Sequence, residues 1–227
     1  ILMKALAIIP ARYPSTRFPG KPLYPILGKP MVEWVYLTAK KCKALERIVV
    51  ATDDKRIEEV VHNFGGEAIL TRSDHVSGFD RIVEVAQKMD NYTHYVNVQG
   101  DEPLLPPENI AGALSLFGKG AEITTTAVPF TSLEDFQNEN QVKVVTALDG
   151  RALYFSRSPI PFYRKSSFDK TPRALKHQGL YAYSKEALHK MAKLPVAPLE
   201  EVESLEQLRF LYHGFSIYVH TATKDSP

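Results

Sequence analysis

The sequence has little cysteine, little net charge and no long apolar stretch. Its single cysteine, Cys42, excludes an intramolecular disulfide and a cysteine-based zinc site, which fits a reducing compartment. No apolar run approaches the roughly 20 residues that a transmembrane helix needs, and the opening apolar stretch is too short for a signal peptide. The formal net charge of +2 gives no support to nucleic-acid binding. We therefore expect a soluble, cytoplasmic globular protein with no nucleic-acid or membrane partner.

Two common nucleotide-binding patterns are missing from the segment that follows the first predicted strand. It has neither G-x-x-x-x-G-K-[ST], which excludes a P-loop, nor G-x-G-x-x-G, which counts against a dinucleotide-binding Rossmann site. Instead, residues 10–22 combine cations, hydroxyls and a glycine, namely Arg12, Arg17, Lys21, Ser15, Thr16 and Gly20. Ligands of open α/β sheets bind at the carboxyl ends of the strands, so this loop can hold a triphosphate. The alternative is a solvated basic loop.

Strands and helices alternate in the first half of the chain. Apolar and β-branched runs predict strands at residues 6–10, 47–51, 67–70 and 95–98, and helical spacing predicts helices at 31–42, 55–64 and 78–89. This alternation predicts an α/β fold with a doubly wound, mostly parallel sheet. The 227 residues suffice for one such domain, and we treat residues 1–227 as a single unit.

The second half of the chain changes in character. It predicts strands at residues 122–128, 142–148, 152–155, 180–183 and 217–221, with helices at 184–192 and 199–212. Asp149-Gly150 is a hairpin turn signal, and residues 159–172 form a basic, proline-rich loop or flap. We interpret this half as an antiparallel addition to the sheet, with the region 142–176 as a dimer arm.

Carboxylates follow two of the predicted strands. Asp101, in Gln99-Gly100-Asp101-Glu102-Pro103, can hold Mg²⁺ against phosphate oxygens, since Mg²⁺ takes one or two protein carboxylates plus substrate phosphates. Gly100 would let a ligand approach closely. The alternative for Asp101 is a turn residue before a proline. Asp53 is predicted to cap the helix that follows it.

Further polar residues are candidates for binding an acidic ligand or a base. A carboxylate favours a cation, for which Arg157 and His177 are candidates, although a lone histidine is more often structural. Residues 71–78 could read a base edge, or Ser77 could simply cap the helix that follows. Glu206 and Arg209 are three residues apart, which is also the spacing of a surface ion pair on a helix.

Taken in order, these segments resemble the 3-deoxy-manno-octulosonate cytidylyltransferase family along almost the whole chain. The most specific of them are Phe155-Ser156-Arg157, Lys176-His177-Gln178-Gly179 and Leu205-Glu206-Gln207-Leu208-Arg209. The other matching segments are residues 9–13, 15–23, 50–53, 97–103 and 142–145. Of these, 9–13 and 50–53 are shared loosely with other sugar nucleotidyltransferases.

The resemblance implies a nucleotide-diphospho-sugar transferase fold, a homodimer and a magnesium-dependent reaction of CTP. CMP would pass to the anomeric hydroxyl of 3-deoxy-D-manno-octulosonate (Kdo) for lipopolysaccharide synthesis, and pyrophosphate would leave. The resemblance also implies catalytic roles for Arg12, Lys21 and Asp101, with Asp101 as the metal ligand. The implied nucleotide-binding residues are Ala11, Arg12, Ser15, Lys21, Arg72, Ser77 and Gly78. The implied sugar-binding residues are Gln99, Arg157, His177, Tyr181, Glu206 and Gln207, and the region 142–176 is implied to serve sugar binding as well as dimerisation.

Two departures from the family pattern bear on these expectations. Phe79 stands where the family usually has threonine, which affects the expected substrate or nucleotide preference. The family also continues into a Val-Asp-Thr segment whose aspartate is a second metal ligand, and the sequence ends at Pro227 before it. Alternatives are a cytidylyltransferase for a related acidic sugar, such as 8-amino-Kdo or a sialic-acid-like sugar, and a non-catalytic nucleotide-binding protein with the same fold.

Overall fold

A computed structural model describes residues 2–15, 17–169 and 174–225. Along the chain, its strands and helices are β1 (Ala5–Pro10), β2 (Pro25–Ile26), β3 (Lys29–Pro30), α1 (Met31–Lys40), β4 (Arg47–Thr52), α2 (Lys55–Asn63), β5 (Ala68–Leu70), α3 (Gly78–Lys88), β6 (His94–Asn97), α4 (Pro107–Ser115), β7 (Ile123–Pro129), α5 (Leu133–Gln137), β8 (Lys143–Thr146), β9 (Ala152–Ser156), β10 (Leu175–Ser184), α6 (Lys185–Met191), α7 (Pro198–Glu203), α8 (Gln207–Tyr212) and β11 (Ile217–Thr221). Within these described residues, no helix is both long and apolar enough to cross a bilayer.

The main sheet is mostly parallel, as the sequence predicts. Its strand order is β11-β7-β10-β6-β1-β4-β5, in which β5, β4, β1 and β6 run parallel to one another. β10 runs antiparallel to both β6 and β7, and β11 is parallel to β7. The predicted antiparallel addition is therefore confirmed. It enters the sheet through β10, directly beside the parallel half.

The apolar core lies on both faces of this sheet. In β1, Leu6 and Ile8 join one buried cluster, whereas Ala7 and Ile9 join the other, because successive side chains of a strand point to opposite faces. Helices α3, α6 and α8 cover the first face, and α1, α2 and α4 cover the second. A strand buried on both faces reads as a continuous apolar run, which is why the sequence identifies β1.

The predicted hairpin is present as β8 and β9. Gly150 takes a φ of 86° at its turn, a left-handed conformation that glycine adopts without strain. The base of the hairpin joins the sheet where β8 pairs with Leu175 and Lys176 of β10. Beside it, a small aromatic cluster forms from Phe130, Phe136 and Phe168. Part of the predicted flap, residues 170–173, lies outside the described residues.

Two local predictions were wrong. The single helix expected over residues 199–212 is divided into α7 and α8 by Ser204, whose φ of 52° is left-handed and ends α7. The cap of α2 is Asp54, whose side chain accepts from the Arg56 amide at 2.8 Å, rather than Asp53. Asp53 instead lies 3.4 Å from the buried Arg81. Helices α4 and α5 are elements that the sequence pattern did not predict.

Candidate active site

The loop after β1 and the turn after β6 meet at the carboxyl edge of the parallel strands. They enclose an open cleft of about 230 Å³. The predicted site residues in its lining are Ala11, Arg12, Ser15, Lys21, Gly78, Gln99 and Asp101. This is the edge at which open α/β sheets bind their ligands. The structure thus brings the predicted phosphate loop and the predicted metal-binding carboxylate to one place.

Lys21 and Asp101 form an ion pair across this cleft. Lys21 Nζ lies 3.0 Å from Asp101 Oδ2, although the two residues are 80 positions apart in the chain. Their side chains are 41% and 53% exposed, so water screens the pair and it contributes little stability. Both groups can therefore exchange this contact for a ligand at low cost.

Gly100 allows the two loops to approach each other. A Cβ atom at this position would lie 2.6 Å from the main-chain oxygen of Pro10, closer than carbon and oxygen can pack. The sequence-based expectation was that Gly100 admits a ligand. The missing side chain also permits a close contact within the chain, between Gly100 and the main-chain oxygen of Pro10, and both residues line the cleft.

We expect Gly100→Ala to lower the free energy of unfolding by about 2 kcal/mol, because either the Pro10 or the Gly100 segment must shift. Chemical denaturation measures this loss. Gly118→Ala is the matched control, since a Cβ atom there would meet nothing within 4 Å. Equal stability of the two variants would show that the loops do not need this approach.

The start of α3 carries the residues expected near the base. Ser77 caps the helix in a reciprocal arrangement with Asp80, each accepting from the other's main-chain amide at 3.2 Å. Ser77 also donates to Glu206, whose pKa is raised by burial against the opposing effect of this hydrogen bond. Capping and a link to the predicted sugar-binding group therefore coexist. Arg72 is exposed and pairs with Asp74 at 2.9 Å, outside the cleft lining.

His177 is a neutral hydrogen-bonding group rather than a cation. Its Nε2 lies 2.8 Å from Thr125 Oγ1, and that hydroxyl donates its own proton to the Leu180 carbonyl at 2.6 Å. The hydroxyl must then accept from His177, which assigns the imidazole proton to Nε2 and leaves Nδ1 as the acceptor. Burial lowers the pKa of His177 to about 3. The expectation of a histidine cation for a carboxylate is corrected accordingly.

Two aromatic rings pack against His177, and the turn after β6 is hydrogen-bonded to the same strand, β10. The His177 ring lies 4.9 Å from Phe155 and 5.3 Å from Tyr181, measured between ring centroids. Among the described residues, the buried Tyr181 hydroxyl has no hydrogen-bond partner. Gln99 donates to the Gly179 carbonyl at 3.2 Å and so ties the cleft to β10. Thr125, inside a run of threonines, is a supporting residue that no sequence signal distinguishes.

Arg157 is held in place by main-chain carbonyls. Its guanidinium donates to Glu203 O at 2.7 Å, Glu139 O at 3.1 Å and Ser204 O at 3.1 Å. The bonds to Glu203 and Ser204 satisfy carbonyls at the C-terminus of α7, which helix ends leave open, whereas Glu139 lies in the turn before β8. Together, these hydrogen bonds use three of the five donors that a guanidinium carries. Of the predicted sugar-binding residues, Gln99 lines the cleft, whereas Arg157, His177, Tyr181, Glu206 and the buried Gln207 lie outside its lining.

Phe79, the residue that departs from the family pattern, belongs to the core. It is 3% exposed, and its ring centroid lies 5.7 Å from Tyr183 and 5.2 Å from Phe210. The ring therefore packs α3 against β10 and α8. Its neighbour Gly78 lines the cleft, so Phe79 lies directly behind the site.

Comparisons with known proteins agree with this geometry. The profile of the family described as Cytidylyltransferase matches residues 6–217. A 3-deoxy-manno-octulosonate cytidylyltransferase of Leptospira biflexa serovar Patoc is 51% identical, over 98% of this chain and 92% of that protein. One from Syntrophobacter fumaroxidans is 48% identical, over 99% and 91%. A solved structure of CMP:2-keto-3-deoxy-manno-octonic acid synthetase complexed with CTP superposes with a TM-score of 0.93 at 42% identity, covering 99% of this chain and 92% of that one.

A mostly parallel sheet with a cationic loop and a carboxylate at its strand ends, matched by a cytidylyltransferase profile, defines a CTP-dependent nucleotidyltransferase. Within that class, the chain belongs to the 3-deoxy-manno-octulosonate cytidylyltransferase family. The resemblance noted in the sequence is thereby confirmed. A 4-diphosphocytidyl-2C-methyl-D-erythritol synthase from Anaerococcus prevotii, at 14% identity and a TM-score of 0.64, shares the fold alone.

Proposed function

We propose that this enzyme transfers CMP from CTP to the anomeric hydroxyl of Kdo, giving CMP-Kdo for lipopolysaccharide synthesis and releasing pyrophosphate. The observation that carries the proposal is the 51% identity, over 98% of the chain, to the 3-deoxy-manno-octulosonate cytidylyltransferase of Leptospira biflexa. The convergence of Lys21 and Asp101 within 3.0 Å at the strand ends supports it.

The reaction forms one bond and breaks another at the α-phosphorus. The anomeric oxygen attacks the α-phosphorus in line, the bond to the bridging oxygen of pyrophosphate breaks, and the hydroxyl proton passes to solvent water. Arg12 and Lys21 bind the phosphates and stabilise the charge that develops on the leaving pyrophosphate. Ala11, Ser15 and Gly78 shape the floor of the cleft around the nucleotide, with Arg72 and Ser77 near the base. Catalysis is then mainly positioning and charge neutralisation.

The donor chemistry at Asp101 fits Mg²⁺. The residue offers a half-exposed carboxylate beside the predicted phosphate loop, and Mg²⁺ takes one or two carboxylates together with substrate phosphates. No cluster of three or more metal-ligating side chains occurs within residues 2–15, 17–169 and 174–225. Phosphate oxygens of the substrate would contribute to the coordination beside Asp101. Held there, the ion would lower the pKa of the sugar hydroxyl and neutralise phosphate charge.

The sugar acid is bound between the cleft and the β8–β9 hairpin. Arg157 pairs with its carboxylate, and neutral His177 accepts from one of its hydroxyls through Nδ1. Gln99, Tyr181, Glu206 and Gln207 complete the sugar site. The buried Tyr181 hydroxyl supports this assignment, because a buried hydroxyl with no partner in the described chain gains from a ligand.

We also propose a cytoplasmic homodimer with the region 142–176 at its interface. Exposed apolar side chains support this arm, since Leu148 is fully exposed and Phe162 is 86% exposed. A monomer at micromolar concentration in analytical ultracentrifugation would contradict the dimer. Recovery of the protein outside the cytoplasmic fraction of its cells would contradict the location.

A panel of nucleotides and sugars tests the function. We expect pyrophosphate release with CTP and Kdo in the presence of Mg²⁺, and kcat/KM values at least about tenfold lower for UTP, for 8-amino-Kdo and for a sialic acid, because each removes or adds a polar contact. Greater activity with another acidic sugar would replace Kdo as the substrate. Nucleotide binding without turnover of any sugar would identify a non-catalytic nucleotide-binding protein.

A further inference from the structure

A fully buried lysine lies at the base of the β8–β9 hairpin. Lys143 is the first residue of β8 and has 0% of its surface exposed. Its Nζ donates to the main-chain carbonyls of Asn138 at 2.6 Å and Arg157 at 2.7 Å. Burial, together with the nearby Arg157 charge, lowers the pKa of Lys143. Since an apolar side chain of similar volume would avoid this desolvation, packing alone does not account for a lysine here.

The main chain of Arg157 is held from both sides. Its carbonyl accepts from Lys143, and its amide donates to Glu203 Oε2 at 2.9 Å. Glu203 Oε1 also accepts from the Ser156 hydroxyl at 2.7 Å, which fixes the preceding residue. The peptide groups on either side of the Arg157 Cα therefore have charged partners. Charge-assisted hydrogen bonds are stronger than neutral ones, so the main chain of Arg157, from which its side chain extends, is held in one position.

The guanidinium of Arg157 extends the same network. It donates to Glu139 O, one residue beyond the Asn138 carbonyl that Lys143 holds. Lys143 and Arg157 thus donate to adjacent carbonyls of the turn before β8. Removing the Lys143 ammonium would take a donor from the carbonyls of Asn138 and Arg157, of which Asn138 keeps a second donor in the Gln141 amide at 3.1 Å. The main chain at Arg157 would lose the stronger support and would be free to shift.

We propose that Lys143 is a positioning residue for the sugar acid, which acts by fixing Arg157 in concert with Glu203. The inference rests on the proposed function, in which Arg157 pairs with the substrate carboxylate. Lys143 is enclosed by two carbonyls and acts through Arg157 rather than by touching the substrate. Replacing Lys143 should therefore weaken binding of the sugar acid but not of CTP, because the proposed CTP cleft is formed by the loops that follow β1 and β6.

Steady-state kinetics of Lys143→Met and Glu203→Gln test the proposal. Each variant keeps the volume of the side chain and removes the charge that holds Arg157. We expect the KM for Kdo to rise about tenfold, as small displacements of a positioned group do, with the KM for CTP within about twofold of the wild type. Lys190→Met is the matched control, because Lys190 is a 54% exposed surface lysine paired with Glu186. If Lys143→Met does not fold, Glu203→Gln decides the matter.

A double-mutant cycle with Arg157→Gln separates positioning from general damage. If Lys143 acts through Arg157, Lys143→Met adds no further rise in the KM for Kdo once Arg157 is replaced. Additive effects, an equal rise in both KM values, or an unchanged KM for Kdo in a folded variant would overturn the proposal. The proposed function is tested separately, by whether the wild-type enzyme turns over Kdo. The inference about Lys143 is tested by the KM for Kdo of each variant relative to that of the active wild type.

Discussion

Asp101→Asn is expected to lower kcat about 100-fold or more, the loss that follows removal of a key electrostatic group. The amide keeps the shape of the side chain but removes the negative charge beside Lys21 and the proposed metal ligand. Pyrophosphate release at saturating CTP, Kdo and Mg²⁺ measures the effect. Asp90→Asn is the control, since it makes the same change at an exposed position after α3. Near-normal turnover at saturating Mg²⁺ would refute the role of Asp101.

The same variant should behave differently in binding. Without Mg²⁺, CTP has to compete with Asp101 for Lys21, whose Nζ lies 3.0 Å from that carboxylate. We expect Asp101→Asn to bind metal-free CTP at least as tightly as the wild type in calorimetry, because the lysine is released and one negative charge is removed from the cleft. Weaker binding of CTP by the variant would indicate that Asp101 holds the loop after β1 in its binding conformation, rather than repelling the CTP phosphates when Mg²⁺ is absent.

Phe79→Thr is expected to lower the free energy of unfolding by about 3 kcal/mol, as truncation of a buried phenylalanine does. The loss combines a cavity between Tyr183 and Phe210 with the burial of a new hydroxyl. Denaturant titration measures it. The control is Tyr212→Thr, which truncates a 54% exposed aromatic ring on α8 and should cost less than about 1 kcal/mol.

Substrate preference should change little in Phe79→Thr. The ring packs behind Gly78 and is not part of the cleft lining, so the folded variant is expected to keep the wild-type ratio of kcat/KM for Kdo and 8-amino-Kdo within about threefold. A changed ratio without loss of stability would mean that position 79 selects the substrate.

Much of the fold follows from patterns that the sequence states directly. The β1 run is apolar throughout because both faces of the strand are covered, and Asp149-Gly150 requires the left-handed turn that Gly150 adopts. The break between α7 and α8 could not be read from the sequence. Its helical spacing continues through Ser204, and the carbonyls of Glu203 and Ser204 that the break frees accept from Arg157, which lies 46 and 47 residues earlier in the chain.

The candidate site was predictable in its chemistry but not in its contacts. Cations in the first loop and the carboxylate at Asp101 could be named because both follow strands whose ends meet at one edge. The neutral state of His177 could not be predicted, since it follows from burial, and its tautomer depends on a hydroxyl of β7 that is 52 residues away. Lys143 was also missed, because the burial of a charged side chain is a property of tertiary packing alone, and Glu203 was missed because its partners Ser156 and Arg157 are 46 or 47 residues away.

The β8–β9 hairpin is anchored at both ends. Its base pairs with Leu175 and Lys176 of β10, and its turn reaches β11, where the Val219 amide donates to the Gly150 carbonyl at 2.9 Å. An arm fastened in two places does not swing as a lid. If the sugar acid binds at this hairpin as proposed, it would meet a surface that is already formed, and little of the binding free energy would be spent on ordering Arg157.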